Sequence, residues 1–457
     1  MIGSNYPFLT NELYDVVRLF GRDAEVEHVL LYEDGVFHNS FVVDGQRFSV
    51  DDELQCEGEL SFKRYAKRYA KLALYRHLSR TYGEMPWGAL TGIRPTKLAY
   101  TERREGRAFE PLFRQMGVRE DNIALVREIL SRQKEIYENN QGGLDLFVGI
   151  PFCPTKCAYC SFITADIRYT EKYLDDYLTV LEKELAGARH LMKNVKSVYV
   201  GGGTPFVLDE RRLERLLKAI AECSLSGEYT VEAGRPDVFT RGKLDLLRDY
   251  GVNRICINAQ TFSDETLVKI GRKHTANDVF DAFELASGYP FDVNLDLIAG
   301  LEGEDERDFA RSLQSAIACN PDNITVHTLC LKKGAKLKEE TDRLEGDVID
   351  EMIACSRELL PKAGYAPYYL YRQKLMAGNR ENVGWTKIGK ACVYNVDVME
   401  EITDNLAVGA NAISKKLCDG GRIERYASPK DIPTYLAKIE EIIEKKDALF
   451  AEKTNRG

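Results

Sequence analysis

From residue 144 onward the chain alternates short apolar runs with amphipathic stretches, and this alternation narrows the possible folds more than any other feature. The runs are LFVGIPF (146–152), SVYVGGG (197–203), YTVEAG (229–234), RICINAQ (254–260), VNLDLIAG (293–300) and ITVHTLCL (324–331). Between them lie helical patterns such as YLDDYLTVLEKELAGARHLM (173–192) and RRLERLLKAIAECS (211–224). Strands that alternate with helices at this spacing build βα units around a parallel sheet. Six units are too few for a closed eight-fold barrel. In α/β barrels the working residues sit at the C-terminal ends of the strands. The polar or glycine-rich segments PFC, GGGTP, EAGRP, AQTF and DLIAG all fall at that end of their runs.

Residues 1–143 read differently. EVEHVLLYEDGVFHNSFVVDGQRFSV predicts short strands with turns at Asp34-Gly35 and Asp44-Gly45. FKRYAKRYAKLALYRHLSRTYG (62–83) predicts a helix stopped by Gly83. NNQGG (139–143) reads as a linker. The expected division is an N-terminal α+β domain over 1–143, a βα domain over 144–369 and a small C-terminal domain over 370–457. The 457 residues carry a formal charge of 63 − 72 = −9, with 44% hydrophobic and 30% charged residues, which excludes disordered and fibrous classes. The start MIGSNYPFLTNELYDVV lacks a basic stretch followed by an apolar run, and no apolar segment reaches the roughly 20 residues of a membrane span. The expected compartment is the cytoplasm, with no membrane partner. Thiols stay reduced there, so the eleven cysteines do not read as a disulfide framework.

Three of those cysteines cluster: Cys153, Cys157 and Cys160, spaced C-x3-C-x2-C in GIPFCPTKCAYCSF. The other eight are isolated and read as packing residues. Three thiolates on one loop suit a metal centre with an open coordination position. A closed structural zinc site takes four ligands, and a [4Fe–4S] cluster also usually takes four cysteines. Zinc with a distant fourth ligand, or plain reduced thiols, remain open on spacing alone.

The triad resembles the cluster-binding motif of the radical S-adenosylmethionine (SAM) superfamily. IPFCPTKCAYCSF, VYVGGGTP, VEAGRP, NAQTFSDETLVKIGRKHT and NLDLIAGL resemble, in order, the motifs of the oxygen-independent coproporphyrinogen III oxidase family. LTGIRPTKLAY, YRQK, ENVG and GANAISK look most like its HemZ-type subgroup. The resemblance covers roughly residues 144–415. It implies an α/β fold with a partial (β/α)6 barrel, a [4Fe–4S] cluster on the three cysteines, and SAM bound at the open iron. An electron from the cluster would cleave SAM to methionine and a 5′-deoxyadenosyl radical. SAM contacts are implied for Phe147, Gly202, Gly203, Thr204, Glu232, Gln260, Arg272 and Asp296. The better-known oxidases carry Tyr and His where this chain has Phe147 and Gly149, and a fourth cysteine where it has Phe162.

The implied reaction is oxidative decarboxylation of coproporphyrinogen III propionates to vinyl groups. The alternatives are a haem-handling protein on the same scaffold, or a radical SAM enzyme acting on RNA. The implied partners are a tetrapyrrole and an electron donor such as flavodoxin or ferredoxin. Arg235 and Arg94 are candidates for substrate carboxylates, and no residue is assigned as a catalytic acid or base. Residues 60–104 hold eleven basic and two acidic residues, 11 − 2 = +9, interleaved with tyrosines and Trp87. That pattern fits a polyanion or a docking surface with Arg94 and Lys97 nearest the site. The whole of 1–143 counts 20 basic against 22 acidic residues, which disfavours a dedicated nucleic-acid domain.

Overall fold

The computed structural model describes residues 1–451 except 22, 92–93, 140–141, 163, 224, 331–345, 374–375, 377–378 and 419–421. Parts of the expected linker 139–143, of LTGIRPTKLAY and of YRQK, and the last residue of the sixth apolar run, therefore lie outside the described residues. The chain forms two compact units. One is Met1–Glu128 with Tyr371–Glu381, and the other is Ile129–Leu370 with Asn382–Gly457.

In the first unit, β1 (Ile2–Ser4) runs parallel to β2 (Val26–Glu33), and β2, β3 (Val36–Val43) and β4 (Gln46–Glu53) form an antiparallel meander. The two expected turns are two-residue hairpins with positive φ at both central residues: Asp34 at 50° with Gly35 at 81°, and Asp44 at 47° with Gly45 at 82°. Aspartate and glycine tolerate that left-handed pair, whose twist matches the strands. The predicted basic helix spans Gly58–Tyr82 and lays Phe62 and Tyr69 on Phe37. Its cations find acids nearby. Lys67 and Lys71 both reach Glu12, at 2.9 and 3.0 Å, and Arg68 lies 3.7 Å from Glu102. The returning segment joins this unit through Trp87, whose indole N–H donates to Glu381 at 2.7 Å, and through Arg372, stacked on the Trp87 ring.

In the second unit, β5 (Leu144–Ile150) leads into a short pair, β6 (Phe152–Cys153) with β7 (Ala165–Asp166). Then come β8 (Val195–Gly202), β9 (Leu225–Gly234), β10 (Arg254–Ile257), β11 (Asp292–Ala299) and β12 (Asn323–Thr328). The six strands β5, β8, β9, β10, β11 and β12 lie side by side in that order, all parallel. This is the βα alternation read from the apolar runs, and the fold is α/β with a partial barrel. Helices fill the crossovers, each started by a side-chain cap where the sequence supplies one, as at Asp209, Thr240, Thr275 and Asp305. The run 254–260 is strand only to Ile257, because Gln260 turns to φ 71°. It still bridges β11, donating to Asp296 O at 2.8 Å and accepting from Ile298 N at 2.9 Å.

Five later strands extend this sheet. β13 (Ala366–Tyr371) and β14 (Asn382–Thr386) lie beyond β12. β15 (Asp404–Val408) pairs parallel with β5, followed by antiparallel β16 (Ile413–Leu417) and β17 (Ile423–Ala427). One ion pair fastens the C-terminal helix Ile439–Phe450 to this seam. Lys446 and Glu184, both fully buried, pair directly. Lys446 also donates to Ala407 O of β15 at 2.5 Å. Glu184 also accepts from Tyr435 at 2.5 Å and from Gly409 N at 2.9 Å. Removing one member of a buried pair strands the other charge. Lys446→Met is therefore expected to lower unfolding stability by about 3–5 kcal/mol, read as a drop in denaturation midpoint; a change below about 1 kcal/mol would contradict this account.

Candidate functional site

The cysteine loop is fixed at three places. At one end, Gly203 N donates to Ile150 O and Thr204 N to Phe152 O, both at 2.8 Å. A Cβ on Gly203 would stand 2.5 Å from Phe152 O and 2.7 Å from Ile150 O, so glycine is required for this approach. In the middle, Thr155 Oγ1 donates to Gly271 O at 3.1 Å and Ala158 N to Ile270 O at 3.0 Å. From below, buried Arg235 donates to Thr155 Oγ1 at 2.5 Å while Asp237 holds its other edge at 2.8–2.9 Å.

The three thiols are free and partly exposed. The Thr204 hydroxyl donates to Cys153 Sγ at 3.7 Å. Burial pushes the Cys153 thiol up to about 11 and also raises Cys160. Among the described residues no group of three or more His, Cys, Asp or Glu side chains is gathered as a ready-made metal site. The donors still fit a cluster: three soft thiols on one pinned loop, with no competing partner among themselves.

Beside the loop, at the C-terminal ends of the strands, lies a polar row. Glu232 on β9 accepts from Tyr199 OH at 2.6 Å and from Gly202 N at 3.3 Å. A side chain at Gly201 would collide with its carboxylate. Burial, with Asp296 adding its negative charge, raises the Glu232 carboxyl from 4.5 to about 7. Asp296 on β11 has His327 Nε2 at 3.7 Å. Gln260 is buried in its left-handed turn. Buried Arg272 donates to Asn258 O and, at 3.2 Å, to Tyr159 OH of the cysteine loop. Phe147 stacks on Tyr199 and Tyr394, and these two rings lie 4.5 Å apart.

The structure joins Gly202 to Glu232 and brings Phe147 beside Gly202, bonds the Gln260 backbone to that of Asp296, and ties Arg272 to Tyr159 of the cysteine loop. Gly203 and Thr204 direct their amides at the loop's own carbonyls. Arg235 is engaged by Asp237 and Thr155. Arg94 and Lys97 belong to the first unit, where Arg94 precedes the helix Pro95–Arg104 and the Lys97 carbonyl accepts the Thr101 hydroxyl. Sequence reading missed Tyr199, His327 and Tyr394. Tyr199 shares a strand face with Gly201, and His327 with Thr325, by the two-residue period. Tyr394 had no such signal, since it starts the helix Val393–Glu400, whose first amides donate to Glu228 of β9 at 3.0 and 3.1 Å.

A parallel sheet whose first strand ends in a pinned three-cysteine loop defines the class, and the Radical SAM superfamily model matches residues 147–316. That superfamily uses a [4Fe–4S] cluster and SAM. The oxygen-independent coproporphyrinogen-III oxidase-like protein HemZ of Bacillus subtilis is 34% identical over 385 residues, 79% of this chain and 76% of that protein. With that relative, the chain belongs to the coproporphyrinogen oxidase-like family of radical SAM proteins, in its HemZ-type subgroup. The heme chaperone HemW of the same organism is 35% identical over 193 residues, 41% of this chain and half of that one. The solved structure of coproporphyrinogen III oxidase (HemN) from Escherichia coli shares the fold, with TM-score 0.55 and 22% identity over 68% of this chain and 72% of that one. Among the described residues no helix is long and apolar enough to cross a membrane.

Two outcomes test this geometry. Gly203→Ala should leave the chain folded, with an unchanged circular dichroism spectrum, but lower iron retained after anaerobic reconstitution by at least fivefold. Glu232 keeps its proton up to about pH 7 in the folded chain but only to near 4.5 when unfolded. Its contribution to stability is therefore largest below pH 4.5, falls as pH rises to 7, and is level above. Glu232→Gln should remove that slope, gaining roughly 1–3 kcal/mol relative to the parent between pH 5 and pH 8. Parallel melting curves at the two pH values check it.

Proposed function

We propose that this radical SAM protein carries out oxygen-independent oxidative decarboxylation of the propionates of coproporphyrinogen III. The observation that carries the reading is the Gly202–Glu232 contact beside the pinned cysteine loop, at the mouth of the parallel strands. In this reading Cys153, Cys157 and Cys160 hold the cluster and leave one iron open. Glu232, held by the Gly202 N–H, receives the amino end of SAM. Gln260, Arg272 and Asp296 orient the rest of that ligand, and Phe147 offers it an apolar wall. Bound together, the cluster and SAM supply hydrogen-atom abstraction. The chain's own residues hold one C–H bond against that centre and keep water away. As it becomes a vinyl group, each propionate gives one hydrogen atom to the 5′-deoxyadenosyl group derived from SAM, one electron to an external one-electron acceptor, and releases one CO2.

The substrate assignment is supported by the identity with the oxidase-like HemZ over most of both chains. The N-terminal ion pairs, which engage several cations of the 60–104 tract, favour a tetrapyrrole over RNA. The one competing reading is haem handling, supported by the heme chaperone matches. An anaerobic assay with reconstituted protein, SAM, reductant and coproporphyrinogen III separates the two. The oxidase reading expects CO2, vinyl product and 5′-deoxyadenosine together, all lost in Cys157→Ala along with the brown iron–sulfur absorbance. SAM cleavage without vinyl product, together with tight haem binding, would move the assignment to haem handling.

A further inference from the structure

Tyr199 carries a hydroxyl that neither the sheet nor the rings around it require. On β8 it faces Phe147 of β5 on one side and Thr230 of β9 on the other. Its ring lies nearly parallel to those of Phe147, at 6.4 Å and 16°, and Tyr394, at 4.5 Å and 19°. A phenylalanine would stack there as well. The hydroxyl instead donates to Glu232 Oε1 at 2.6 Å, while Gly202 N donates to Glu232 Oε2 at 3.3 Å. Each carboxylate oxygen thus has its own donor, and the group cannot turn without losing one. Gly201 leaves the room for this, since a Cβ there would stand 2.7 Å from Glu232 Oε2 and 2.8 Å from Tyr199 Cε1.

The surroundings work against a charge on Glu232. Burial raises its carboxyl to about 7 and Asp296 adds to that, while the Tyr199 hydroxyl and the Gly202 amide act the other way. The titratable groups that face it are Tyr199 on β8, Cys256 on β10, Asp296 on β11 with His327 of β12 beyond it, and Tyr394 on the helix Val393–Glu400. Cys256 Sγ also lies 3.9 Å from the Tyr199 hydroxyl. Burial pushes Tyr199, Cys256 and Tyr394 well above their ordinary values, so all three stay protonated and uncharged. Tyr199 therefore keeps its proton to donate wherever Glu232 titrates. A hydrogen bond to the ionised form of a carboxyl favours that form.

We propose that Tyr199 is a positioning residue for SAM: its hydroxyl, set in place by the stacked rings, orients the Glu232 carboxylate and holds it ionised to receive the SAM ammonium. This rests on the reading that Glu232 receives the amino end of SAM. Tyr199 acts through Glu232. No bond forms or breaks at Tyr199, and its proton stays on the phenol oxygen.

The test uses the full chain in two forms. In the first, before reconstitution, infrared spectra follow the protonated-carboxyl band that Glu232→Gln removes. The parent band should titrate near pH 7. Tyr199→Phe keeps the ring, and should move that midpoint up by about one pH unit or more, which is a tenfold change in the ionised fraction below it. In the second, after anaerobic reconstitution, calorimetry measures SAM affinity at pH 7 and pH 9. Tyr199→Phe should take up iron like the parent, bind SAM about tenfold more weakly at pH 7, and return to within about threefold at pH 9, where Glu232 is ionised in both. The amino group of SAM titrates alike against both proteins, so their ratio isolates Glu232. A ring that serves only packing predicts Tyr199→Phe equal to the parent in both forms, and that result would overturn the proposal. So would a loss of SAM affinity equal at the two pH values. Glu232→Gln separates the two readings: if it binds SAM like the parent, the assignment of Glu232 itself fails, whatever Tyr199 does to the carboxyl band.

Discussion

The site depends on the close approach of two backbones. Gly203 and Thr204 place their amides on the carbonyls of Ile150 and Phe152, and this happens only where no side chain intervenes. That contact closes the C-terminal edge of β5 against β8 and sets where the cysteine loop begins. The Thr155 and Ala158 bonds to the 270–271 segment set where it passes next. Between them the loop that carries the three partly exposed thiols is tied at both passages. The glycines also act at a distance: the space left at Gly201 lets Glu232 swing under the Gly202 amide. One tract therefore positions both the cysteines and the carboxylate beside them.

Beneath that mouth the interior changes character. Phe147, Tyr199 and Tyr394 stack across the strands, and Tyr199 turns its hydroxyl up to Glu232. The helix that carries Tyr394 is itself held by a carboxylate. Glu228 accepts two of its first amides and also bonds Arg254 at 3.1 Å, a buried anion placed where a helix N-terminus attracts one. Sequence-distant parts of the chain thus meet inside the sheet.

The βα core was legible because buried parallel strands are written as near-continuous apolar runs. Five of the six runs became strands over most of their length. The fourth, RICINAQ, stopped at Ile257, since nothing in Asn258-Ala259-Gln260 announces that Gln260 adopts a left-handed backbone to bridge Leu297. The hairpins at Asp34-Gly35 and Asp44-Gly45 were legible for a local reason, the turn dipeptide itself. The motif residues of the mouth were legible through their place after each strand. Pairings far apart in sequence were not. β15 reads as any short apolar strand, and only its register with β5, Leu144 against Asp404, shows that it continues the sheet past β5. Likewise Arg235 looks like a free cation in EAGRP until Asp237 and Thr155 are seen around it.

That last pairing has a consequence for how the chain is made. β5 and its neighbour β15 are separated by 404 − 144 = 260 residues. At roughly 5–20 residues per second of synthesis, one edge of β5 waits some tens of seconds for its partner. During that interval β5 can bond β8 on one side only, and its other edge is open to any passing strand. The nascent molecule is thus most prone to aggregate in the middle of its synthesis. The Lys446–Glu184 pair fastens the seam only after that period has passed.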